Sequence, residues 1–280
     1  MRHCLLMTVY KDVEQINHLI SKVPVDWGIY VHIDLKSKIN TSEIEARATT
    51  FKKYRIYWGS LEHVKAFLYL MEVATSNKYD YYHLITGQDY FASNPNDFDK
   101  ILGNDLNSYL DLFRIPRKDW RGGEYSVALI KSLSSYGDIR YGILHKVNSF
   151  LTLIQKSFID THKQPKDWNL YGGSVYCSLH YGFVSWILQS SKTQKLLKFL
   201  KNTTCGEEVF FQTLIMESPY KDKVCNTHLR YIDWSSWCPP KILKQEDYNA
   251  IISNKCLFCR KLDYQYSSEL VELLDKALNL

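Results

Sequence analysis

Apolar and polar positions in the first half of the chain alternate between strand-like and helix-like patterns. Short runs of apolar and β-branched side chains predict buried strands at 3–9, 27–34, 55–58 and 81–86. Apolar positions at helical spacing predict helices at 13–20, 42–51 and 61–75, and another helix begins at Asn96 or Asp97. This alternation is typical of an α/β fold with a mostly parallel central sheet flanked by helices.

The second half of the chain is less regular, but no repeat or low-complexity linker interrupts it. Residues 114–124 are polar and basic and are predicted to form an exposed loop, and 129–153 are predicted to contain one or two helices. Residues 170–179 predict a turn leading into a strand, followed by helices at 180–189, at 192–201 and from Cys205. Because 280 residues can enclose one full core, we predict a single domain over 1–280.

Polar residues follow two of the predicted strands. Asp34 ends the strand at 27–34, and Gly87, Gln88 and Asp89 follow the strand at 81–86. Ligands of parallel sheets bind at the carboxyl ends of the strands, so these residues are candidates for a ligand site. Gly and Asp are also common turn residues, and each position taken singly fits that simpler interpretation.

Two adjacent carboxylates, Glu207 and Glu208, stand near the start of the helix predicted from Cys205 and precede aromatic and apolar residues. Successive side chains diverge by about 100° around a helix, so we expect only one of the two to face a given cleft. A carboxylate beside apolar side chains is suited to general-base catalysis. Carboxylates also stabilise helix N-termini through the helix dipole, and the residues alone leave both roles open.

The net charge of +5 comes from Lys and Arg residues dispersed along the chain, which argues against a nucleic-acid-binding protein. It suits a nucleotide diphosphate or a loose association with an anionic membrane surface. The 21 Tyr, 12 Phe and 7 Trp supply rings that suit sugar faces, although Tyr-rich cores are common. The apolar run before Lys11 is too short for a signal peptide or a membrane span. We therefore expect a cytoplasmic protein, with at most a peripheral association with the inner face of the membrane.

Two features invite a metal or redox site. Cys256 and Cys259 have CxxC spacing, but no second Cys pair or nearby His pair completes a zinc site, and we interpret the seven cysteines as free thiols. Asp97 and Asp99 form an Asp-x-Asp motif, but they lie at a predicted helix start, where acidic residues are common. We therefore predict no metal and no cofactor.

Seven segments follow one another along nearly the whole chain: 30–37 (YVHIDLKS), 58–59 (WG), 84–90 (LITGQDY), 171–174 (YGGS), 207–213 (EEVFFQT), 229–234 (LRYIDW) and 257–263 (LFCRKLD). Together and in this order they resemble the core-2/I-branching family of β-1,6-N-acetylglucosaminyltransferases, which includes peptide O-xylosyltransferases and bacterial members. The chain departs from the family pattern at Phe91 in place of Pro, Tyr176 in place of Trp, Glu207 in place of Asp and Cys259 in place of Ala. These departures leave the candidate base and the basic pair unchanged.

The resemblance implies a GT-A-like fold with a nucleotide-sugar-binding half over 1–110 and an acceptor-binding and catalytic half over 111–280. Glu208 matches the family's general base, which deprotonates the acceptor hydroxyl. The implied donor-binding residues are Asp34, Gly87, Asp89, Arg260 and Lys261, with the basic pair at the diphosphate. The implied acceptor-binding residues are Tyr176, Glu207 and Trp234.

These roles imply an inverting, metal-independent glycosyltransferase that moves N-acetylglucosamine from UDP-GlcNAc to a glycan acceptor of a bacterial surface polysaccharide. Its partners would be a nucleotide-sugar donor and a glycan, with no nucleic acid. One alternative keeps the fold but uses UDP-xylose or another hexosyl donor. Others are an inactive carbohydrate-binding protein and a metal-dependent enzyme that uses Asp97 and Asp99 and loses turnover in EDTA.

Overall fold

A seven-stranded sheet built from both halves of the chain lies at the centre of the protein. The computed structural model describes residues 1–117, 120, 130–158, 166–203, 205–236 and 239–280. Its strands are β1 (His3–Val9), β2 (Gly28–Ile33), β3 (Thr49–Phe51), β4 (Tyr81–Thr86), β5 (Asp89–Phe91), β6 (Ser108–Tyr109), β7 (Phe113–Arg114), β8 (Tyr171–Gly172), β9 (Ser178–His180), β10 (Val224–Cys225), β11 (Arg230–Ile232) and β12 (Phe258–Arg260).

The helices are α1 (Val13–Ser21), α2 (Glu62–Ala74), α3 (Phe98–Leu102), α4 (Gly142–Phe158), α5 (Tyr181–Gln189), α6 (Ser191–Phe199), α7 (Glu207–Met216), α8 (Tyr248–Ser253) and α9 (Tyr264–Leu278). Within the residues that the structure describes, none of these helices combines the length and the apolar character needed to cross a bilayer.

The central sheet has the strand order β10-β6-β9-β4-β1-β2-β3. Strands β1 to β4 are parallel, and β9 pairs antiparallel with both β4 and β6. Two smaller sheets complete the fold: β11-β12-β5, and the pair β7-β8. The predicted α/β class with a mostly parallel central sheet flanked by helices is confirmed.

Both faces of the central sheet are covered by helices. Along β1, Cys4 and Leu6 point into a core that contains apolar residues of α2, α5, α6 and α7. Leu5 and Met7 point into the opposite core, which contains apolar residues of α1, α3, α8 and α9. A strand that is buried on both faces favours apolar residues at successive positions, which is why these strands appear as nearly continuous apolar runs in the sequence.

The sequence located most regular elements of the first half. The strands expected at 3–9, 27–34 and 81–86 are present as β1, β2 and β4, and the helices expected at 13–20 and 61–75 are α1 and α2. The expected helix start at Asn96 or Asp97 falls within a 3-10 turn at Pro95–Asp97 that leads into α3.

The predictions for 42–51 and 55–58 are wrong. Residues 41–43 form only a single 3-10 turn, 49–51 form strand β3, and 55–58 form no strand. Ile44 and Ala48 are buried at a spacing of four, which imitates a helical pattern. The segment after β3 forms no strand, and its hydrogen bonds include two to side chains: the backbone N–H of Tyr54 donates to His32 Nε2 at 2.9 Å, and that of Ile56 donates to Asp34 Oδ1 at 3.4 Å. The Tyr54 carbonyl oxygen accepts from the Leu35 backbone N–H at 2.9 Å.

In the second half, the predicted turn and strand at 170–179 correspond to β8 and β9, and the three predicted helices correspond to α5, α6 and α7. The helical prediction for 129–153 corresponds to α4, which begins at Gly142 and extends to Phe158. Residues 130–141 form no helix, and Leu129 lies outside the described residues. Residues 114–124 were predicted to form an exposed loop, but Arg114 belongs to strand β7 and Ile115 is fully buried. The described part of that segment ends with Arg117 and Trp120, and the rest lies outside the described residues.

Leu70 on α2 is fully buried against the central sheet, whereas Glu72 on the same helix is exposed. We expect Leu70→Ala to lower the free energy of unfolding by about 2–5 kcal/mol because it removes buried methyl groups and leaves a cavity. Glu72→Ala serves as the matched control and should change it by less than about 0.5 kcal/mol. Equilibrium urea denaturation measures both, and equal effects of the two substitutions would contradict this assignment of the core.

Candidate active site

A cleft of about 530 Å³ opens where β1, β2 and β4 end. Tyr10 follows β1, Asp34 follows β2, and Gln88 follows β4, and all three line the cleft. These strands are parallel, so their carboxyl ends meet at one edge of the sheet, which is where ligands bind in folds of this class. The remaining wall comes from the second half of the chain, including the start of α7 and the end of β12.

Seven of the nine residues predicted for the site line this cleft: Asp34, Tyr176, Glu207, Glu208, Trp234, Arg260 and Lys261. They come from five separate parts of the sequence, and only the fold brings them together. Gly87 and Asp89 are not part of the cleft wall; they lie behind it.

Glu207 and Glu208 form the first turn of α7 and both line the cleft. The expectation that only one would face the cleft is therefore wrong. Side chains in the first turn of a helix lean toward its N-terminus, and the cleft meets α7 at that end. Glu208 is anchored through its carbonyl oxygen, which accepts a hydrogen bond from the backbone N–H of Gly173 at 2.9 Å. A Cβ at position 173 would lie 2.1 Å from the carbonyl oxygen of Asp111, so this close approach requires glycine.

The two carboxyls share an environment that favours their protonated forms. Burial raises the pKa of Glu207, and the negative charge of Glu208 raises it further. Burial also raises the pKa of Glu208. The Glu207 Oε2 atom is buried and has no hydrogen-bond partner among the described residues. A carboxylate with a raised pKa is a stronger base than an ordinary one, so the pair is suited to accept a proton near neutral pH.

Arg260 is held in the cleft wall from two sides. Its Nη1 atom lies 3.3 and 3.4 Å from the two carboxylate oxygens of Asp89, which stands opposite it in the β5–β12 ladder. Its Cζ atom lies 3.6 Å from the centroid of the Tyr176 ring. Asp89 is fully buried and also accepts hydrogen bonds from the backbone N–H and the hydroxyl of Thr86 at 2.7 and 2.6 Å. Asp89 therefore positions a cation and has no surface of its own in the cleft.

Gly87 supports the same edge by close packing. A Cβ at this position would lie 3.0 Å from Ile16 and 3.2 Å from Val9. Its carbonyl oxygen accepts a hydrogen bond from Gln15 Nε2 at 2.6 Å. Gly87 thus lets the turn after β4 lie directly against α1.

Lys261 adds a second cation next to Arg260. Its pKa is lowered by burial and then by the positive charges of Arg260, Lys11 and Arg140. Its ammonium group forms no hydrogen bond or ion pair with any residue that the structure describes. A partly buried cation surrounded by other cations gains free energy from an anion, so this wall of the cleft is suited to a phosphate or diphosphate group.

Asp34 organises the loops at the opposite side of the cleft. Its Oδ1 accepts a hydrogen bond from the Lys36 backbone N–H at 2.8 Å, and its Oδ2 lies 3.2 Å from Lys36 Nζ. The same ammonium group lies 4.2 Å from the centroid of the Tyr57 ring. Asp34 is only 6% exposed, so it shapes this edge mainly through its neighbours.

Two histidines of the cleft were not predicted from the sequence. His63 Nε2 lies 3.0 Å from the Thr8 hydroxyl, and burial and the charge of Arg260 lower its pKa to about 3. His228 Nε2 lies 3.4 Å from Asp111, and burial and the nearby arginines lower its pKa to about 3. Both imidazoles are neutral hydrogen-bonding groups at neutral pH. The sequence signal that could have identified them is their position: His63 lies shortly after Trp58-Gly59, and His228 lies immediately before the 229–234 segment.

The Asp-x-Asp motif lies outside the cleft wall. Asp99 accepts hydrogen bonds from the N-terminal amine at 2.6 Å and is 2.8 Å from His3, and Asp97 pairs with Lys100 at 2.6 Å. Across the described ranges, no group of three or more His, Cys, Asp or Glu residues is arranged to hold a metal ion. The six described cysteines, which include Cys256 and Cys259, are free thiols, and Cys238 lies outside the described residues.

The basic residues of 114–124 are only partly described. Arg114 donates to Asn169 Oδ1 at 3.4 Å, and the Arg117 guanidinium lies 4.7 Å from the centroid of the Phe113 ring. Arg121 lies outside the described residues. Phe113 and Trp120 line the cleft, so this segment supplies aromatic side chains to it.

We expect Glu208→Gln to lower the pKa of Glu207 by about one pH unit, because removal of a neighbouring negative charge makes ionisation easier. A ¹³C NMR titration of protein labelled at the glutamate carboxyls measures this change. Glu72→Gln, at an exposed site on α2, should leave the titration of the pair unchanged. Wild-type carboxyls at positions 207 and 208 that titrate near the ordinary value of about 4.3 would contradict the assigned environment.

Comparison with known proteins places the chain in a family. No curated protein matches it. Among solved structures, the apo form of mouse xyloside xylosyltransferase 1 is similar over 92% of this chain and 97% of that chain, with 11% identity and a TM-score of 0.37. The family described as Core-2/I-Branching enzyme matches residues 6–255. A match over this much of the chain shows that the protein belongs to the core-2/I-branching family and is a glycosyltransferase of that type, acting between a nucleotide-sugar donor and an acceptor.

Proposed function

We propose that the chain is an inverting, metal-independent glycosyltransferase with Glu208 as its general base. The acceptor hydroxyl transfers its proton to Glu208, and its oxygen attacks C1 of the donor sugar. The bond between C1 and the diphosphate oxygen breaks, and the diphosphate leaves with the bonding electrons. One displacement of this kind inverts the anomeric centre. The observation that carries the proposal is that one cleft holds a carboxyl pair with raised pKa values and two adjacent cations, Arg260 and Lys261.

The leaving diphosphate develops negative charge. We propose that Arg260 and Lys261 stabilise this charge. Arg260 is fixed in place by Asp89 and Tyr176, so little reorganisation is needed when the charge develops. Lys261 has no carboxylate partner among the described residues and is free to bind phosphate. Fixed cations supply the stabilisation that a divalent ion supplies in other enzymes, and this supports a mechanism without a metal or another cofactor.

The donor site we propose spans the edge formed by Asp34 and the two cations. Residues 1–110 would contribute most of the nucleotide-sugar-binding half, with Gly87 and Asp89 supporting it from behind. Residues 111–280 would contribute the catalytic and acceptor-binding half. The donor-binding cations Arg260 and Lys261 also belong to this part of the sequence. The proposed donor is UDP-GlcNAc, by resemblance to the β-1,6-N-acetylglucosaminyltransferases.

The acceptor side would be formed by Trp234, Tyr176 and Glu207. Trp234 lines the cleft and is 54% exposed, so its ring is accessible for stacking on a sugar. The Tyr176 ring is covered by Arg260 on one face and lies 6.3 Å from the His63 ring, and we assign its part that lines the cleft to the acceptor. The unpartnered Oε2 of Glu207 can accept a hydrogen bond from a sugar hydroxyl. The proposed acceptor is a glycan of a bacterial surface polysaccharide.

A cytoplasmic site of action, at most peripherally associated with the membrane, fits the free thiols of the six described cysteines. Buried and partly buried thiols that remain unpaired are typical of proteins in a reducing compartment.

The first test is UDP release from a panel of UDP-sugars in the presence of EDTA. We expect slow release from UDP-GlcNAc that persists in EDTA and falls by about 10²–10⁴-fold in Glu208→Gln, because the amide cannot accept the proton. Glu72→Gln is the matched control and should retain full activity. Release from UDP-xylose or another hexosyl donor alone would change the assigned sugar and keep the mechanism.

Two other outcomes would contradict the proposal. Loss of UDP release in EDTA, with recovery on adding a divalent cation, would replace the metal-independent mechanism and direct attention to Asp97 and Asp99. Failure to bind any UDP-sugar in calorimetry would favour an inactive carbohydrate-binding protein.

We expect Lys261→Met to weaken UDP binding by about 10–100-fold, because a hydrogen bond between charged groups is lost from a partly buried site. Lys221→Met removes an equal charge at an exposed position and should leave the affinity unchanged. Isothermal titration calorimetry with UDP measures both variants. Equal affinities for the wild type and Lys261→Met would exclude this lysine from the diphosphate site.

A further inference from the structure

Helix α4 faces its polar side toward the protein. None of its 17 residues is buried. It is attached through hydrogen bonds: Asn148 Oδ1 accepts from the Leu133 backbone N–H at 2.8 Å, and the Gln155 side chain bonds both the N–H and the C=O of Lys131 at 2.8 and 2.9 Å. The ring of His145 contacts the Ile139 carbonyl oxygen at 2.9 Å. An ordinary surface helix does the reverse and buries its apolar side.

The apolar side of α4 is exposed. Seven large apolar residues are between 38% and 85% exposed: Ile143, Val147, Phe150, Leu151, Leu153, Ile154 and Phe158. Most of them recur at intervals of three or four, so they form a continuous stripe along the helix. A contiguous apolar surface of this kind marks a binding surface for a partner or a membrane.

The positive charge of α4 favours an anionic partner. Residues 142–158 contain Lys146 and Lys156 and no Asp or Glu. Tyr136 and Tyr141, just before the helix, are each 70% exposed. Basic residues attract anionic headgroups, and tyrosine rings favour the boundary between apolar and wet regions. A basic helix with an apolar stripe is complementary to an anionic lipid surface.

We propose that α4 is a membrane-docking helix that lies in the headgroup region of an anionic phospholipid bilayer. Its 17 residues extend over about 25 Å along the surface. In this orientation the apolar stripe enters the acyl boundary, and the polar side remains bonded to the protein. Docking requires no change in the catalytic residues.

The docking helix adjoins the active-site cleft. Arg140 and Asp138, which immediately precede α4, line the cleft and pair with each other at 2.5 Å. A membrane that binds α4 therefore lies near one edge of the cleft. The surface would give the enzyme access to acceptors carried by lipids, but the docking itself is independent of the sugar transferred and of Glu208.

Vesicle co-sedimentation tests the proposal with the full-length chain. We expect binding to vesicles of equimolar phosphatidylglycerol and phosphatidylcholine, weaker binding to phosphatidylcholine alone, and a decrease with added salt. The double variant Phe150→Gln with Phe158→Gln should bind at least about tenfold more weakly, because two exposed rings no longer enter the bilayer. Lys146→Gln should weaken binding to the anionic vesicles by about fivefold.

Val25→Gln is the matched control, because Val25 is 93% exposed and lies outside α4. It should bind vesicles like the wild type. UDP release in solution should be unchanged in the Phe150 and Phe158 variant, which shows that it is folded and separates this proposal from the catalytic one. Absence of binding to anionic vesicles, or equal binding by this variant, would overturn the proposal. So would a concentration-dependent dimer that the same substitutions dissociate, because the stripe would then be the contact with a second copy.

Discussion

The buried ion pair between Asp89 and Arg260 is the constraint on which the cleft depends. Asp89 is fully buried at the turn after β4, and Arg260 lies at the end of β12, more than half the chain away in sequence. Both residues belong to the β11-β12-β5 sheet, and Asp89 also accepts hydrogen bonds from Thr86 at the end of β4, so the pair is tied to the edge of the central sheet. Breaking one half of such a pair leaves an uncompensated buried charge, so each residue stabilises the position of the other. The guanidinium that results is fixed in front of Tyr176, facing the cleft.

The cleft that this ion pair supports contains two kinds of electrostatic environment. The start of α7 brings two carboxyls together with few hydrogen-bond partners, and both their pKa values rise. Elsewhere in the cleft, burial and then neighbouring cations lower the pKa values of Lys261 and His63. Carboxyls with raised pKa values are suited to accept a proton, and a group of adjacent cations is suited to bind an anion. This arrangement places carboxyls and cations in one small volume, as the proposed base and the proposed stabilisation of the leaving group require.

The helices divide into two groups by what they bury. Those that cover the central sheet place their apolar residues in one of the two cores, and those cores hold the strands that carry the cleft. Helix α4 buries none of its residues and turns an apolar, basic surface outward beside the cleft. The protein thus combines a site for soluble nucleotide sugar with a surface suited to lipid, and the two meet at Arg140.

The sequence by itself determined the elements whose signal is local. The runs at 3–9, 27–34 and 81–86 are mostly apolar because both faces of the sheet are covered, and helix α2 shows its 3.6-residue period directly. The seven sequence segments also identified the family and seven of the residues that line the cleft. Only the tertiary structure decided the conformation of 42–58, because hydrogen bonds of this segment reach distant residues that include His32 and Asp34. The tertiary structure also decided that Asp89 pairs with Arg260 and that both Glu207 and Glu208 line the cleft. Burial and long-range pairing depend on residues that are distant in sequence.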